Sequence, residues 1–511
     1  MKDLVIINGQ INTMADGSPF AEAVAVKEGR IIKVGTNEEV RRAMPFGAEV
    51  IDARGNSVFP GFFDTHVHFS MTGENLASVQ LYDVSSGQEL FTRMTRAAEK
   101  MKPGEWLKGV GYNELEYAPG DFPDLKKLDE VFPSRPVILS RVDEHQLLLN
   151  SIALKEMNVC PGDDGAELDE DGELTGIIKD PLNGRVRQIY TKNNLTDSMF
   201  RRFYAAASDE ALKHGTTTVC CLEGGDLCDE KSADAFLKYQ ESIPLHTHLY
   251  HQTMDVKKVL GEGQKQIGGC ILLDGSLGSH TAALTEDYAD LKGCRGKLCI
   301  EPDVVEDFIL EAHLSGLQAS MHCIGDLAIE VLLRAYEKAL ARYPRANHRH
   351  RFEHFTLPTW DQVERARRLG CAMGIQPAYL AGKSMYVERV GEERLDRVNL
   401  IKTLMGPGFF AGGGSDAPVT PMNPFIGISE GMMHYNERER ITLDEGLRLF
   451  TTEAAKLTFE ENEKGTVEEG KIGDFAIIDR NIREMDLSDP NVLKEIQFTH
   501  TIVEGEIKYA K

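Results

Sequence analysis

The chain of 511 residues carries 57 lysine and arginine residues against 81 aspartate and glutamate residues, a formal net charge of −24 at pH 7. This charge repels phosphate backbones and anionic lipid headgroups, so the composition argues against nucleic acid and membrane surfaces as partners. With 41% hydrophobic residues, and with 47 glycines and 20 prolines spread along the chain, the composition is that of a folded globular protein. The length excludes a single small module.

The N-terminal segment and the cysteines indicate the cellular compartment. The first ten residues, MKDLVIINGQ, hold only a short apolar run, which is far from the core of a signal peptide. No stretch approaches the roughly 18 apolar residues that a membrane-spanning helix requires. The nine cysteines form no CxxC pattern and do not indicate a disulfide framework. We therefore expect a cytoplasmic protein with reduced thiols.

Short strands separated by tight turns are predicted at both ends of the chain. Apolar stretches bounded by turn residues occur there at 4–7, 23–26, 31–34, 474–479, 499–503 and 507–509. Each end alone is too short to bury a core of its own. We therefore predict one small β-sandwich that residues 1–58 and 449–511 form together.

Between the two ends, strand-like segments alternate with helical ones. Residues 318–321, for example, are strand-like and precede a helical stretch at 326–342. Such alternation is typical of a parallel α/β fold, and its length favours a (β/α)8 TIM-type barrel over an open sheet. We predict the barrel over residues 59–448, with an insertion near its mouth at about 81–191, where proline and glycine interrupt the pattern.

Side chains that can bind metal follow several of these predicted strands. His66 and His68 are two positions apart after an apolar approach, so on a strand both imidazoles project from the same face and can reach one ion. His322 and His354 each end a predicted strand, about one βα unit apart, and Asp416 follows an apolar stretch. Because the carboxyl ends of barrel strands form the face where active sites are built, the five residues together indicate a metal site.

Each of these signals has an ordinary interpretation when it is taken alone. The HxH spacing recurs at His246 and His248, and a single buried histidine is more often a hydrogen-bonded core residue than a ligand. An aspartate after a strand is commonly a loop or helix-cap residue. It is the repetition of the pattern at successive strand ends that favours a metal site.

The motifs follow one another in a specific order. They are PGFFDTHVH at 60–68, DGSLGSHTAAL at 274–284, HCIGD at 322–326, FEH at 352–354 and GSDAP at 414–418. In these motifs, over essentially its whole length, the chain resembles the amidohydrolase superfamily of metal-dependent hydrolases, specifically the branch that contains N-substituted formamide deformylases. The resemblance implies one metal on His66, His68 and Asp416 and a second on His322 and His354. The implied cofactor is a divalent metal, zinc above all, with one or two ions per chain.

The chain departs from this branch at the residue that bridges the two metals. Four residues before Asp274, where relatives commonly have a lysine that becomes carboxylated, this sequence has Cys270. A carbamate cannot form there, whereas a thiolate supplies the same negative charge and can coordinate two zinc ions. Glu223 is a second candidate bridge, since a carboxylate can also span two metals. The alternative is that Cys270 is a buried core thiol and that the site holds a single ion.

Three further residues are candidate substrate contacts by the same resemblance. Asp274 and His280 belong to the DGSLGSHTAAL segment, which lines the substrate pocket in relatives; His280 stands where relatives often have an arginine. His145, in the segment Val142-Asp-Glu-His145, resembles another pocket residue of this branch. A structural hydrogen bond is the alternative role for His145.

These features predict a metal-dependent hydrolase that cleaves an amide C–N bond, of the N-acyl or N-formyl type and outside peptide bonds, in a small molecule. Asp416 is the expected proton shuttle between the attacking water and the leaving nitrogen. Esterase, lactonase or deaminase activity at the same site is an alternative, as is a non-catalytic binding protein on a degenerate barrel. Assembly into a homo-oligomer is left open.

Overall fold

The computed structural model describes residues 3–225 and 228–511. These residues form two compact units. The first unit takes residues 3–68, 208–222 and 240–511, and the second takes residues 69–207, 223–225 and 228–239. No helix within the described ranges is both long and apolar enough to cross a bilayer.

A parallel sheet that curves into a barrel is the main element of the first unit. Among the described residues it contains eight strands in chain order, which are Phe62–Val67, Thr216–Glu223, His246–His251, Gln266–Ile267, Gln318–Cys323, Arg351–His354, Ala372–Ile375 and Phe410–Gly413. The two edges of the sheet meet where Val67 forms a parallel bridge with Ala417. The predicted (β/α)8 barrel is therefore confirmed.

Helices cover the barrel with apolar faces. The helix that begins at Asp326 buries Ile329, Leu332 and Tyr336 on one side, at the spacing of a single helical face. The Tyr336 ring meets Phe352 of the sixth barrel strand edge to face, with 5.2 Å between centroids. Burial of a side chain such as Leu332 stabilises the fold by roughly 1.5–3 kcal/mol. The α-helices of this unit are Asn37–Ala43, Val256–Gly261, Pro302–Leu314, Asp326–Arg342, Trp360–Leu369, Lys383–Val390, Glu392–Leu395, Ile401–Leu404, Pro424–Met432, Leu443–Leu449 and Thr452–Leu457, and its short 3₁₀ helices are Gln240–Ser242, Pro377–Gly382, Glu437–Glu439, Ile482–Glu484 and Pro490–Glu495.

Strands from both ends of the chain share one sheet. Val58 and Phe59, near the N-terminus, pair antiparallel with Ile477 and Ala476. This sheet has the order Glu506–Ala510, Phe498–Val503, Phe475–Ile478, Ser57–Pro60, Gln10–Asn12 and Phe20–Ala21, and a second sheet has the order Arg30–Gly35, Ala23–Lys27, Leu4–Ile7 and Glu49–Asp52. Buried apolar side chains of the two sheets form one core. The β-sandwich built from both termini is therefore confirmed.

The second HxH pair, His246 and His248 on the third barrel strand, contacts two carboxylates in the segment that follows the helix Thr452–Leu457. Nε2 of His248 lies 2.8 Å from Oε2 of Glu460, and Nε2 of His246 lies 3.3 Å from Oδ1 of Asp474. Nζ of Lys464 lies 2.7 Å from the other carboxylate oxygen of Glu460. Burial raises the pKa of Glu460, but His248 and Lys464 outweigh this effect and lower the pKa to about 2. These two histidines therefore serve the fold through carboxylate partners.

The second unit is a smaller body with its own mixed sheet. The strand order is Ala166–Leu168, Leu174–Lys179, Gln146–Leu149, Val137–Arg141, Leu107–Tyr112 and Val79–Gln80. Its helices are Phe69–Ala77, Gly87–Ala98, Glu114–Glu116, Leu125–Val131, Ser151–Glu156, Leu182–Asn194 and Glu230–Tyr239, and Asp197–Lys213 runs from this unit into the first. Buried leucines such as Leu90, Leu107 and Leu139 form a separate core. The unit takes in the predicted insertion at about 81–191 and extends beyond it on both sides.

Candidate metal centre

Six side chains that can bind metal come together at the carboxyl ends of the barrel strands. All six are buried, and each ends or follows a strand of the barrel. They are His66 near the end of the first strand, His68 directly after that strand, Cys270 after the fourth, His322 on the fifth, His354 on the sixth and Asp416 after the eighth. This is the face of a (β/α)8 barrel where active sites are built.

The ligand atoms form two overlapping groups. Those of His66, His68 and Asp416 lie within 4.8 Å of one another, and so do those of His66, Cys270 and His354. Nε2 of His66 and Oδ1 of Asp416 are 3.1 Å apart and buried, yet neither makes a hydrogen bond to any residue that the structure describes. Two buried polar atoms without such partners are costly unless something else satisfies both. A cation between them does so, and the donor set therefore fits a metal ion.

The Cys270 thiol lies among imidazoles. Its Sγ is 3.5 Å from Nδ1 of His322 and 3.8 Å from Nε2 of His354. Burial raises the pKa of this thiol, but the imidazoles, led by His322, outweigh burial and hold the pKa well below its usual value. The thiolate that results is the form of cysteine that binds metal.

The backbone bends at two of the candidate ligands. His354 and Asp416 have φ angles of +69° and +56°, in the left-handed region that residues other than glycine rarely adopt. An undistorted strand would place His354 on the same side as Phe352, whose ring lies in the core. The left-handed φ interrupts that alternation, and both Glu353 and His354 reach the group around His66. Such strain costs of order 1–3 kcal/mol and is typical of functional sites.

Two side chains that follow the seventh barrel strand, those of Gln376 and Tyr379, form hydrogen bonds with candidate ligands. Tyr379 donates a short hydrogen bond to Oδ2 of Asp416, and Oε1 of Gln376 lies 2.8 Å from Nδ1 of His354. The other polar atoms of these two side chains, Oδ1 of Asp416 and Nε2 of His354, face the remaining candidate ligands: Oδ1 lies 3.3 Å from Nε2 of His68, and Nε2 lies 3.8 Å from Sγ of Cys270. The sequence motifs did not single out either residue, although their position at a strand end is a signal that could have found them.

Comparison with known proteins agrees with this geometry. Residues 49–509 match the Amidohydrolase family. The chain belongs to this family. The Bacillus subtilis (strain 168) protein YtcJ is 29% identical to this amidohydrolase over 98% of both chains, and an N-substituted formamide deformylase of Arthrobacter pascens is 25% identical over 100% of this chain and 99% of its own. The crystal structure of an uncharacterized metal-dependent hydrolase from Pyrococcus furiosus has a TM-score of 0.77 and 28% identity, and the match covers 94% of this chain and 99% of that chain. The protein is a hydrolase of a metal-dependent family.

Two of the predicted pocket residues lie in the first unit of this amidohydrolase and have local partners. Asp274 is fully buried, and its carboxylate accepts hydrogen bonds from the backbone N–H groups of Ala283, Ile324 and Gly325, at 2.8–3.0 Å. It thereby joins its own loop to the turn that follows His322. Nε2 of His280 lies 3.0 Å from Oδ2 of Asp290. A substrate contact stays a prediction for Asp274 and His280.

The other two predicted residues lie in the second unit. Glu223 accepts hydrogen bonds from the backbone N–H and the hydroxyl of Ser70, at 2.7 and 2.6 Å. Nδ1 of His145 lies 2.6 Å from Oδ2 of Asp180. Neither residue belongs to a group of metal-binding side chains within residues 3–225 and 228–511. Their roles as a bridge and a substrate contact stay predictions.

Proposed function

We propose that this amidohydrolase hydrolyses an amide C–N bond of the N-acyl or N-formyl type, outside peptide bonds, in a small molecule, with one or two zinc ions. The observation that carries the proposal is the buried group at the barrel mouth, in which His66 Nε2 and Asp416 Oδ1 lie 3.1 Å apart without hydrogen bonds to described residues. The relative named N-substituted formamide deformylase supports the N-formyl choice.

The donor set favours zinc. Imidazole nitrogens and a thiolate are the ligands that zinc prefers, whereas magnesium and calcium prefer oxygen. His66, His68 and Asp416 would hold one ion. His322 and His354 would hold a second, and the Cys270 Sγ lies 3.5 and 3.8 Å from nitrogens of these two histidines. A bound divalent ion supplies a Lewis acid and lets water attack a carbonyl near neutral pH.

Asp416 has the geometry and the charge of a proton shuttle. Burial raises its pKa, but His66 and His68 outweigh burial and keep this pKa well below its usual value. The carboxylate is therefore ionised at neutral pH and can accept a proton from the attacking water. Because Tyr379 donates to Oδ2, the carboxylate keeps one orientation, and it can return the proton to the amine that leaves.

The proposal includes a cytoplasmic location and a small-molecule substrate. The net charge of −24 favours such a substrate over nucleic acid or a membrane surface.

Elemental analysis of the purified protein, combined with a panel of N-formyl and N-acyl amides, esters and lactones, tests the proposal. We expect one or two zinc ions per chain and amide turnover. The double variant His66→Ala, His68→Ala should lose metal and activity. The same change at the other HxH pair, His246→Ala with His248→Ala, is the matched control and should keep its metal. Turnover of esters or lactones alone would replace the amidase activity, and a folded protein that takes up no metal would refute the metal centre.

A further inference from the structure

The candidate ligand His66 has a buried carboxylate next to its Nδ1 atom, the ring nitrogen opposite the one that faces Asp416. Nδ1 of His66 lies 2.6 Å from Oε2 of Glu353, and both side chains are completely buried. The same carboxylate oxygen accepts a hydrogen bond from the guanidinium of Arg351, at 2.7 Å. An ionised carboxylate can only accept hydrogen bonds. Next to the arginine, the carboxylate of Glu353 accepts the N–H of His66 Nδ1, and Nε2 is the ring atom that faces Asp416.

Glu353 has no freedom to move away from His66. The hydroxyl of Ser320 donates to its Oε1 at 2.5 Å, and Nη2 of Arg351 donates to its Oε2 at 2.7 Å. The same Arg351 nitrogen also donates, at 2.6 Å, to the carbonyl of Thr65, which directly precedes His66. One guanidinium nitrogen thus ties the carboxylate to the backbone of the strand that carries the ligand.

The seventh barrel strand leaves room for this ion pair. A Cβ atom at Gly374 would lie 2.4 Å from Oε2 of Glu353 and 2.4 Å from Nη2 of Arg351. Contacts under 3 Å force one of the two groups to move. Both atoms belong to fully buried side chains, so even one methyl group at this position would push the carboxylate against its neighbours. Gly374 therefore offers a way to disturb Glu353 without altering any charge.

We propose that Glu353 is a positioning residue for His66, one that fixes the tautomer and the ring orientation in which Nε2 binds metal. This inference rests on the proposed function and deepens it. A carboxylate that accepts the second N–H of a metal-binding histidine raises metal affinity, and loss of such a partner typically costs about 10- to 100-fold. Glu353, Arg351 and Ser320 do not take part in the chemistry proposed for the site.

Zinc affinity and the cobalt spectrum test this role. Zinc dissociation constants are measured by chelator competition at fixed pH, and the visible spectrum of the Co²⁺-loaded protein reports the orientation of the ligands. We expect Glu353→Gln, which keeps the size of the side chain, and Gly374→Ala to weaken zinc binding by about 10- to 100-fold and to change the cobalt bands. Glu460→Gln is the matched control, because it also removes a carboxylate from a histidine on a barrel strand, His248. It should leave both readouts unchanged.

The outcomes separate a positioning role from a structural one. A folded Glu353→Gln protein with the zinc affinity and cobalt spectrum of the natural protein would overturn the role of Glu353, even if its melting temperature falls. Should Glu353→Gln not fold, Gly374→Ala decides by the same criterion. A natural protein that binds neither zinc nor cobalt would overturn the proposed metal centre, and the inference with it.

Discussion

Two glutamates of one short segment, Glu460 and Glu463, each form an ion pair with the same N–O distance, but the two pairs differ in burial. Glu460 lies 2.7 Å from Lys464, with side-chain exposures of 21% and 3%, and Glu463 lies 2.7 Å from Arg30, with exposures of 49% and 52%. An exposed pair contributes about 0–1 kcal/mol, which is our expectation for Glu463→Gln. Glu460 also has His248 as a partner, and His248 lowers its pKa more than Lys464 does. The difference between the ordinary pKa of 4.5 and about 2 corresponds to about 3 kcal/mol for the two partners together, at about 1.4 kcal/mol per pH unit. Glu460→Gln should therefore destabilise the protein by about 3 kcal/mol at pH 7.

The pH dependence has a definite sign. Because folding lowers the pKa of Glu460, its contribution is complete above about pH 5 and is lost as the pH falls from 4.5 towards about 2. Glutamine does not titrate, so the stability difference between the natural protein and Glu460→Gln should shrink to about 2 kcal/mol at pH 3.5. The difference for Glu463→Gln should remain small at both pH values.

Urea unfolding followed by circular dichroism, with midpoints compared at equal m values, measures these differences. The contribution assigned to Glu460 would be refuted if Glu460→Gln cost no more than Glu463→Gln at pH 7. It would also be refuted if the cost of Glu460→Gln stayed constant down to pH 3.5.

Three further predictions concern the site and the sandwich. Asp416→Asn should lower kcat by about 10²- to 10⁴-fold, the usual contribution of a general acid–base group, with a smaller loss of metal by elemental analysis; full activity would remove the shuttle role. Cys270→Ser keeps the size of the side chain and should lose about one metal per chain and most activity, whereas survival of both would show that the thiol only packs. Deletion of residues 474–511 removes, among other buried side chains, five large apolar ones that are worth about 8–15 kcal/mol together, which equals a typical total stability. The truncated protein should be insoluble, and a soluble product with the melting temperature of the full chain would contradict this. The five are Phe475, Ile477, Ile478, Phe498 and Ile502.

The sequence predicted the barrel, and it predicted that His66, His68, His322, His354 and Asp416 lie at strand ends, because both follow from local patterns. Strand ends and HxH spacing determine where a side chain points, which is information carried by neighbouring residues. What lies opposite the side chain depends on distant residues. His66 meets Glu353, 287 positions away, and His248 meets Glu460, 212 positions away. Two identical spacings therefore have different surroundings, and the HxH pattern alone could not distinguish a ligand pair from a structural pair.

The second unit was difficult to predict for a different reason. Its strands contain glycines in the left-handed region, among them Gly111 and Gly176, with φ angles of +85° and +89°. Such residues interrupt the alternation of apolar and polar positions from which a strand is recognised. The strand Leu174–Lys179 also pairs antiparallel on both sides, unlike the parallel barrel strands. The rules that located the barrel strands therefore did not apply there.

The pairing of Val58 with Ile477 has a consequence for synthesis on the ribosome. About 420 residues separate the two strands, and at about 5–20 residues per second the later strand emerges roughly 20–80 s after the earlier one. During this interval the nascent N-terminal strands expose an unpaired edge and an uncovered apolar face, which are the features that promote aggregation. A translational pause in the barrel would lengthen this exposure, so the yield of native protein should depend on chaperones that bind the emerging N-terminus.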